Sequence, residues 1–207
     1  MIVGVIDYGM GNLHSVSKAL EHAGPDWDVR LIDSPDQLAA CDRAVLPGVG
    51  AMGACVQGIK DAGFDTALQT FVQTKPMMGV CVGMQALFTR GDESGGVEGL
   101  DWVKGEINHF PTSIRQQGLK IPHMGWNQIE HHDHALFDGI APGERFYFVH
   151  SFRSVDVGSP YVAATAIHGE RFVAAIIQGN VFATQFHPEK SQHAGLTLYS
   201  NFLNWTP

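Results

Sequence analysis

A mostly parallel α/β sheet with helices on both faces, extended by antiparallel strands in the C-terminal half, is the fold class this sequence predicts. Three observations carry it. Short, almost wholly apolar runs at residues 2–6, 43–46 and 77–80 read as strands buried on both faces. Segments of helical period lie between them, as crossovers between parallel strands require. Beyond residue 100 the strand-like runs crowd together with turn residues between them, which leaves little room for crossover helices and favours antiparallel pairing.

Residues 2–6 end at Asp7, Tyr8 and Gly9, a strand opening onto a turn. Asn12 is placed to cap a helix whose apolar positions Leu13, Val16, Leu20 and Ala23 recur at helical spacing, and Gly24 stops it. Residues 29–32 and 43–46 are further strands, the second closing at Pro47-Gly48-Val49-Gly50. A helical region around 54–73 leads to the strand at 77–80, and a helix over about 82–88 follows directly. In the second half, residues 101–109, 145–149, 161–168, 172–178 and 181–185 are strand-like. Ser191 opens a last helix with Ala194, Leu198, Phe202 and Leu203 inward. No repeat, low-complexity tract or linker interrupts the chain, so residues 1–207 are expected to form a single domain.

Apolar residues make up 44% and charged residues 16%, with 24 glycines in 207 positions, a globular and loop-rich composition. The net charge of −8 disfavours attraction to nucleic acid or to an anionic membrane. No run approaches the roughly 18 apolar residues of a membrane span. Cys41, Cys55 and Cys81 are odd in number and lack metal-type pair spacing, which argues against a disulfide framework. The opening MIVGVIDYG has no basic region ahead of a long apolar core, so a cytoplasmic protein is expected. His131, His132 and His134 surround Asp133, but their spacing suits an exposed polar turn better than a metal site.

Chemistry concentrates in two places. Gly79-Val80-Cys81-Val82-Gly83 puts a cysteine between glycines, directly after a buried strand and before a helix. That is the layout of a nucleophile elbow: the glycines admit neighbouring chain at a sharp turn, and the helix start offers unpaired N–H groups that stabilise a thiolate. Flanking geometry alone leaves a buried structural thiol equally open, the reading preferred for Cys41 and Cys55. The second place is His187-Pro188-Glu189, after the last strand and before the last helix. In a tight loop the Glu189 carboxylate can fold back on the imidazole and fix the tautomer that accepts a thiol proton. Meeting at one crevice at the carboxyl ends of neighbouring strands, the two would form a cysteine, histidine and carboxylate arrangement for acyl transfer. The backbone N–H groups of Val82 and of Val49, the latter between Gly48 and Gly50, are candidates for holding the oxyanion.

PGVG at 47–50, GVCVGMQ at 79–85 and QFHPEKS at 185–191 together resemble the triad, or class I, glutamine amidotransferases, whose sheet is flavodoxin-like. DYGMGN at 7–12, PHMGWN at 122–127 and YFVHSF at 147–152 resemble more narrowly the glutaminase subunits of imidazole glycerol phosphate synthases in histidine biosynthesis. The resemblance implies Cys81, His187 and Glu189 as the triad, and Val49 and Val82 as oxyanion positions. Gly50, Gln85, His150, Ser151 and Phe152 are implied as contacts to L-glutamine. It also implies a heterodimer with a (β/α)₈-barrel cyclase that receives ammonia, with Asn12, His123, Met124, Trp126, Asn127 and Lys190 facing it. No cofactor or metal is implied, because amides polarise the carbonyl. Phe152 stands where a tyrosine is frequent, so any contact through a hydroxyl is absent here. On their chemistry alone Asn12 serves as an N-cap, Trp126 as a loop anchor, and His123 and His150 as structural residues. Glutaminases serving anthranilate, aminodeoxychorismate or pyridoxal phosphate synthesis, or a non-enzymatic subunit on this fold, are the alternatives.

Overall fold

In the computed structural model, which describes residues 1–207, the first half alternates as the apolar runs require. It comprises β1 (Ile2–Ile6), α1 (Leu13–Ala23), β2 (Asp28–Ile32), α2 (Pro35–Ala39) and β3 (Arg43–Gly48). Next come α3 (Met52–Asp61), α4 (Phe64–Phe71), β4 (Met77–Cys81) and α5 (Val82–Gln85). Shorter strands follow: β5 (Phe88–Gly91), β6 (Val97–Glu98), β7 (Val103–His109), β8 (His123–Gln128) and β9 (Glu130–His131). The chain closes with β10 (Arg145–His150), β11 (Phe152–Arg153), β12 (Val162–His168), β13 (Glu170–Gln178), β14 (Val181–Thr184) and α6 (Gln192–Asn204).

Eight strands form the main sheet in the order β2-β1-β3-β4-β14-β13-β12-β9. Pairing is parallel from β2 through β14 and antiparallel from β14 outward. The order steps back from β1 to β2 and then forward through β3 to β4. Right-handed crossovers therefore put α1 on one face and α2, α3 and α4 on the other. Every residue of β4 is buried, as a central strand covered on both faces must be.

Several expectations are corrected by tertiary pairing. The helix expected over 82–88 stops at Gln85, because Phe88 joins β5 and pairs with Val103 of β7. The helical region at 54–73 is two helices, broken where Gly63 takes φ +74. Asn12 occupies the position before α1 but makes no side-chain cap bond; its φ of −87 and ψ of 63 are not the extended values a capping residue uses. Only part of the second half extends the main sheet. β7 belongs to a four-stranded sheet with β5, β6 and β11, and β10 pairs only with β8. β14 lies antiparallel to β13 but parallel to β4.

Two glycines let β3 press against the β4–α5 turn. A Cβ on Gly83 would lie 2.1 Å from the Leu46 carbonyl oxygen, and one on Gly48 would lie 2.3 Å from the Gly83 nitrogen. Both obstacles are backbone and neither can move aside. Gly83→Ala is therefore expected to lower stability by about 1–3 kcal/mol, the usual penalty of overpacking, and to shift Cys81 with the turn. A urea midpoint equal to that of the unsubstituted protein would contradict this.

Candidate active site

Cys81 is the last residue of β4 and has φ 56 and ψ −109, a conformation that a residue with a Cβ holds only when its surroundings impose it. The packing of Gly48 and Gly83 supplies that constraint. The side chain is buried, with 4% exposure, and α5 begins at the next residue.

β14 lies beside β4 with Thr184 opposite Val80, so the chain leaving β14 passes next to Cys81. Backbone and hydroxyl bonds hold this exit. The His187 N–H donates to the Tyr147 carbonyl at 2.9 Å, Ser191 Oγ donates to the His187 carbonyl at 2.6 Å, and the Tyr147 N–H donates to Ser191 Oγ at 3.0 Å. Glu189, in a short 3₁₀ turn, lies 2.8 Å from His187 Nδ1 through its Oε1, and both side chains are buried. An ionised carboxylate only accepts, so Nδ1 carries the proton. His187 Nε2 is buried without another hydrogen-bond partner, beside the Cys81 sulfur. Burial pushes the imidazole pKa down, but interaction with the neighbouring Cys81 sulfur and the Glu189 carboxylate outweighs it and raises it above its ordinary value.

These groups open into a cavity of about 200 Å³. Val49 and Gly50 form part of its wall with Cys81, Val82 and Gln85. Val149, His150, Ser151, Phe152, His187 and Lys190 complete it. Pockets for drug-sized ligands run to roughly 300–1,000 Å³, so this one suits an amino acid. It can support acyl transfer: a thiol, a base oriented by a carboxylate, and loop and helix-start amides on the wall.

Every residue nominated for catalysis, oxyanion binding or substrate contact lies at this cavity except Glu189, which reaches it through His187. The partner-facing nominations divide. Met124 and Trp126 on β8 are 63% and 44% exposed, and Lys190 is exposed with its ammonium 5.9 Å from the Tyr147 ring centroid. Asn12 and Asn127 are half-buried. His123, nominated with them, is buried: its Nδ1 lies 2.9 Å from His150 Nε2 and its ring stacks on Phe148 and His168. Both ring nitrogens of His150 are engaged, the second with the Phe152 carbonyl at 2.7 Å, which leaves its backbone alone for a ligand.

Two polar residues at the site were missed in the sequence. Gln185, fully buried, places Nε2 3.7 Å from the Cys81 sulfur. Its signal was the extended chain through Gln185 to His187, where positions two apart share a face. Tyr8, read only as part of the turn after β1 and of a resembling motif, donates its hydroxyl to the Pro47 carbonyl at 2.6 Å and touches Cys55 Sγ at 2.9 Å. It thus props the strand that leads to Val49. Burial raises the Cys55 thiol to about 11, which keeps that sulfur protonated.

Residues 4–205 match the family model described as glutamine amidotransferase class-I. The chain is similar to imidazole glycerol phosphate synthase subunit HisH of Acinetobacter baylyi, at 47% identity over 98% of both chains. It is also similar to the protein of the same description from Methylococcus capsulatus, at 46% over 99% of this chain and 97% of that one. Among solved structures it shares its fold with a glutamine amidotransferase, at TM-score 0.74 and 16% identity over 99% and 98% of the two chains. It does so too with the structure of PurLQS from Thermotoga maritima, at TM-score 0.74 and 20% identity over 98% and 97%.

The buried His123 and His150 predict acid lability. Burial lowers His123 to about 3, helped by His168, and lowers His150 well below its ordinary value. A base with a depressed folded-state pKa contributes stability above its unfolded value, near 6.5, and that contribution is lost as pH falls toward the folded value. The raised pKa of His187 acts in the opposite window: its contribution is complete below about 6.5 and fades as pH rises. The urea midpoint is therefore expected to fall between pH 7 and pH 5, above the carboxylate range, and His123→Phe to flatten that slope. An equal slope in the variant would remove His123 from the account.

Proposed function

The chain belongs to the class I glutamine amidotransferases and is a glutaminase subunit of imidazole glycerol phosphate synthase, supplying ammonia in histidine biosynthesis; from that premise we propose how its own residues carry out the hydrolysis. The observation that carries the proposal is the buried His187 imidazole, protonated at Nδ1 toward Glu189 and left unpartnered at Nε2 beside Cys81.

His187 Nε2 takes the Cys81 proton, and the Glu189 carboxylate stabilises the imidazolium that forms. The thiolate attacks the side-chain amide carbon of glutamine, and the developing oxyanion is held by the N–H groups of Val49 and Val82. The C–N bond then breaks, His187 returns its proton to the leaving nitrogen, and ammonia departs from a cysteinyl thioester. Water, deprotonated by the now neutral His187, attacks the thioester; glutamate leaves and the sulfur regains its proton. Gln85 has both amide hydrogens engaged, one with the Phe152 carbonyl at 3.1 Å and one with Gln185 Oε1 at 2.9 Å. Its remaining oxygen suits the α-ammonium of the substrate. Gly50 and the His150-Ser151-Phe152 backbone border the rest of the amino acid, with no hydroxyl from Phe152.

The partner surface is assigned to β8 and its surroundings. Met124 lies opposite Val149, a cavity residue, and with the exposed Trp126 forms an apolar rim. With Lys190, Asn12 and Asn127 it would meet the (β/α)₈ cyclase, residues 1–207 acting as one glutaminase domain. A reducing, cytoplasmic setting is consistent with Cys41, Cys55 and Cys81 all being free.

Cys81→Ser is expected to lower glutamine turnover, measured with the cyclase present, by at least about 10³-fold with the fold retained. Near-normal turnover would sink the mechanism. Glu189→Gln should reduce kcat by about 10²–10⁴-fold and leave KM close to its starting value, because it disturbs the imidazole rather than substrate contacts. The glycines around Val49 leave its peptide free to turn its N–H away from the oxyanion, so the subunit alone is expected to be slower than the complex. An equal rate without the cyclase would count against that.

A further inference from the structure

Which way each buried amide and imidazole points around Cys81 follows from one atom, the Phe152 carbonyl oxygen. A carbonyl only accepts, and two groups reach this one: Gln85 Nε2 at 3.1 Å and His150 Nδ1 at 2.7 Å. On the outer side, His150 Nδ1 must carry the proton, so its Nε2 accepts from His123 Nδ1 at 2.9 Å. His123 Nε2 is then left to accept from Asn127 Nδ2 at 3.2 Å. On the inner side, the Gln85 group facing the carbonyl must be its NH₂, and the same NH₂ reaches Gln185 at 2.9 Å. The Gln185 atom receiving it must be the oxygen, so the Gln185 NH₂ is turned toward the Cys81 sulfur, 3.7 Å away.

We infer that Gln185 is a further functional residue of this centre, donating an N–H to the Cys81 sulfur and setting the direction in which the sulfur's remaining lone pairs meet the substrate. Gln85 and the His150–His123 pair act through it as positioning residues. The inference rests on the reading of Cys81 as the nucleophile. A thiolate in a buried site needs donors in place of water. Besides the backbone N–H groups at the start of α5, the polar side chains nearest this sulfur are the His187 imidazole and the Gln185 amide, with the Cys55 thiol and the Tyr8 phenol also in its neighbourhood. His187 gains and loses a proton in each cycle. The Gln185 amide does not titrate and has no freedom to rotate, because exchanging its two ends would set its NH₂ against that of Gln85. It is therefore a fixed donor at every stage of the reaction. Gln185 is absent from the cavity wall, so it can affect the sulfur without touching glutamine.

The test uses the complex with its cyclase and two variants, Gln185→Leu and Gln185→Glu. Leucine removes both ends of the amide. Glutamate, assayed at pH 8, keeps an acceptor for Gln85 and replaces the donor at the sulfur with an oxygen. Both are expected to lower kcat for glutamine by about 10–10²-fold and to slow alkylation of Cys81 by iodoacetamide by about 10-fold. KM in Gln185→Glu should stay within about twofold. Wild-type kcat and alkylation rates in either folded variant would overturn the inference. So would a raised KM with unchanged kcat, which would make Gln185 a support for Gln85 alone. Should both variants lose their thermal transition, the unsubstituted protein labelled with ¹⁵N-glutamine gives the readout. A buried side-chain amide signal that moves when Cys81 is alkylated supports the contact, and no buried amide signal moving overturns it. Glutamine turnover that survives Cys81→Ser would instead unseat Cys81 as nucleophile, a result distinct from all of these.

Discussion

The contact between the Gly83 backbone and the Leu46 carbonyl sets the position of everything at the site, since an added Cβ would lie 2.1 Å from that oxygen. β3 and β4 run parallel with Gly48 opposite Cys81, and the turn after β4 must fold back sharply to stay clear of β3. Cys81 absorbs the change of direction with φ 56. The sulfur is thereby held at a strand end instead of disappearing into the sheet, as most buried cysteines do. β3 and β14 flank β4 on its two sides, and each delivers a segment of the proposed site at its carboxyl end. From β3 comes the Val49 loop, and from β14 the His187 turn. The site is thus a property of three adjacent parallel strands, where the crevice of an open α/β sheet is found.

The same side chain serves opposite ends within a short distance. His187 lies against the Glu189 carboxylate and the Cys81 sulfur, so its charged form is favoured despite burial. His123 and His150 lie against each other, a carbonyl and aromatic rings, with no anion near enough to offset burial, and their neutral forms win. One histidine is thereby equipped to hold a proton, and the other two are confined to directional hydrogen bonding. The difference is set by which acceptors face each ring. For that reason acid should disturb His123 and His150 at a pH that His187, with its raised pKa, does not cross.

Polar groups around the cysteine also show how a buried network can be specified by a few atoms that accept and never donate. Glu189 settles the His187 tautomer, and the Phe152 carbonyl settles Gln85, Gln185, His150 and His123. Each further bond inherits its direction from those two anchors. Reversing Gln185 would set its NH₂ against that of Gln85, and reversing Gln85 would set its oxygen against both the Phe152 carbonyl and the Gln185 oxygen, so the arrangement has a single low-energy state.

What the sequence determined by itself is local. The buried strands at 2–6, 43–46 and 77–80 announced themselves by continuous apolar runs. The glycine-flanked Cys81 showed as a turn, and His187 and Glu189 sit two residues apart in a loop that can bring them together. Those features depend on steric and hydrogen-bonding preferences that operate over a few residues. What only the tertiary structure decided depends on long-range register. The pairing of Phe88 with Val103 cut short the helix expected after Cys81, and the pairing of β14 with β4 brought His187 to the sulfur across more than half the chain. Burial of His123 was illegible for the same reason, and of Gln185 only the face it shares with His187 was legible, not its turning toward Cys81. Hydropathy says whether a residue prefers water, but a polar side chain goes inside when partners from distant segments satisfy its hydrogen bonds, and those partners are known only after the sheet has closed.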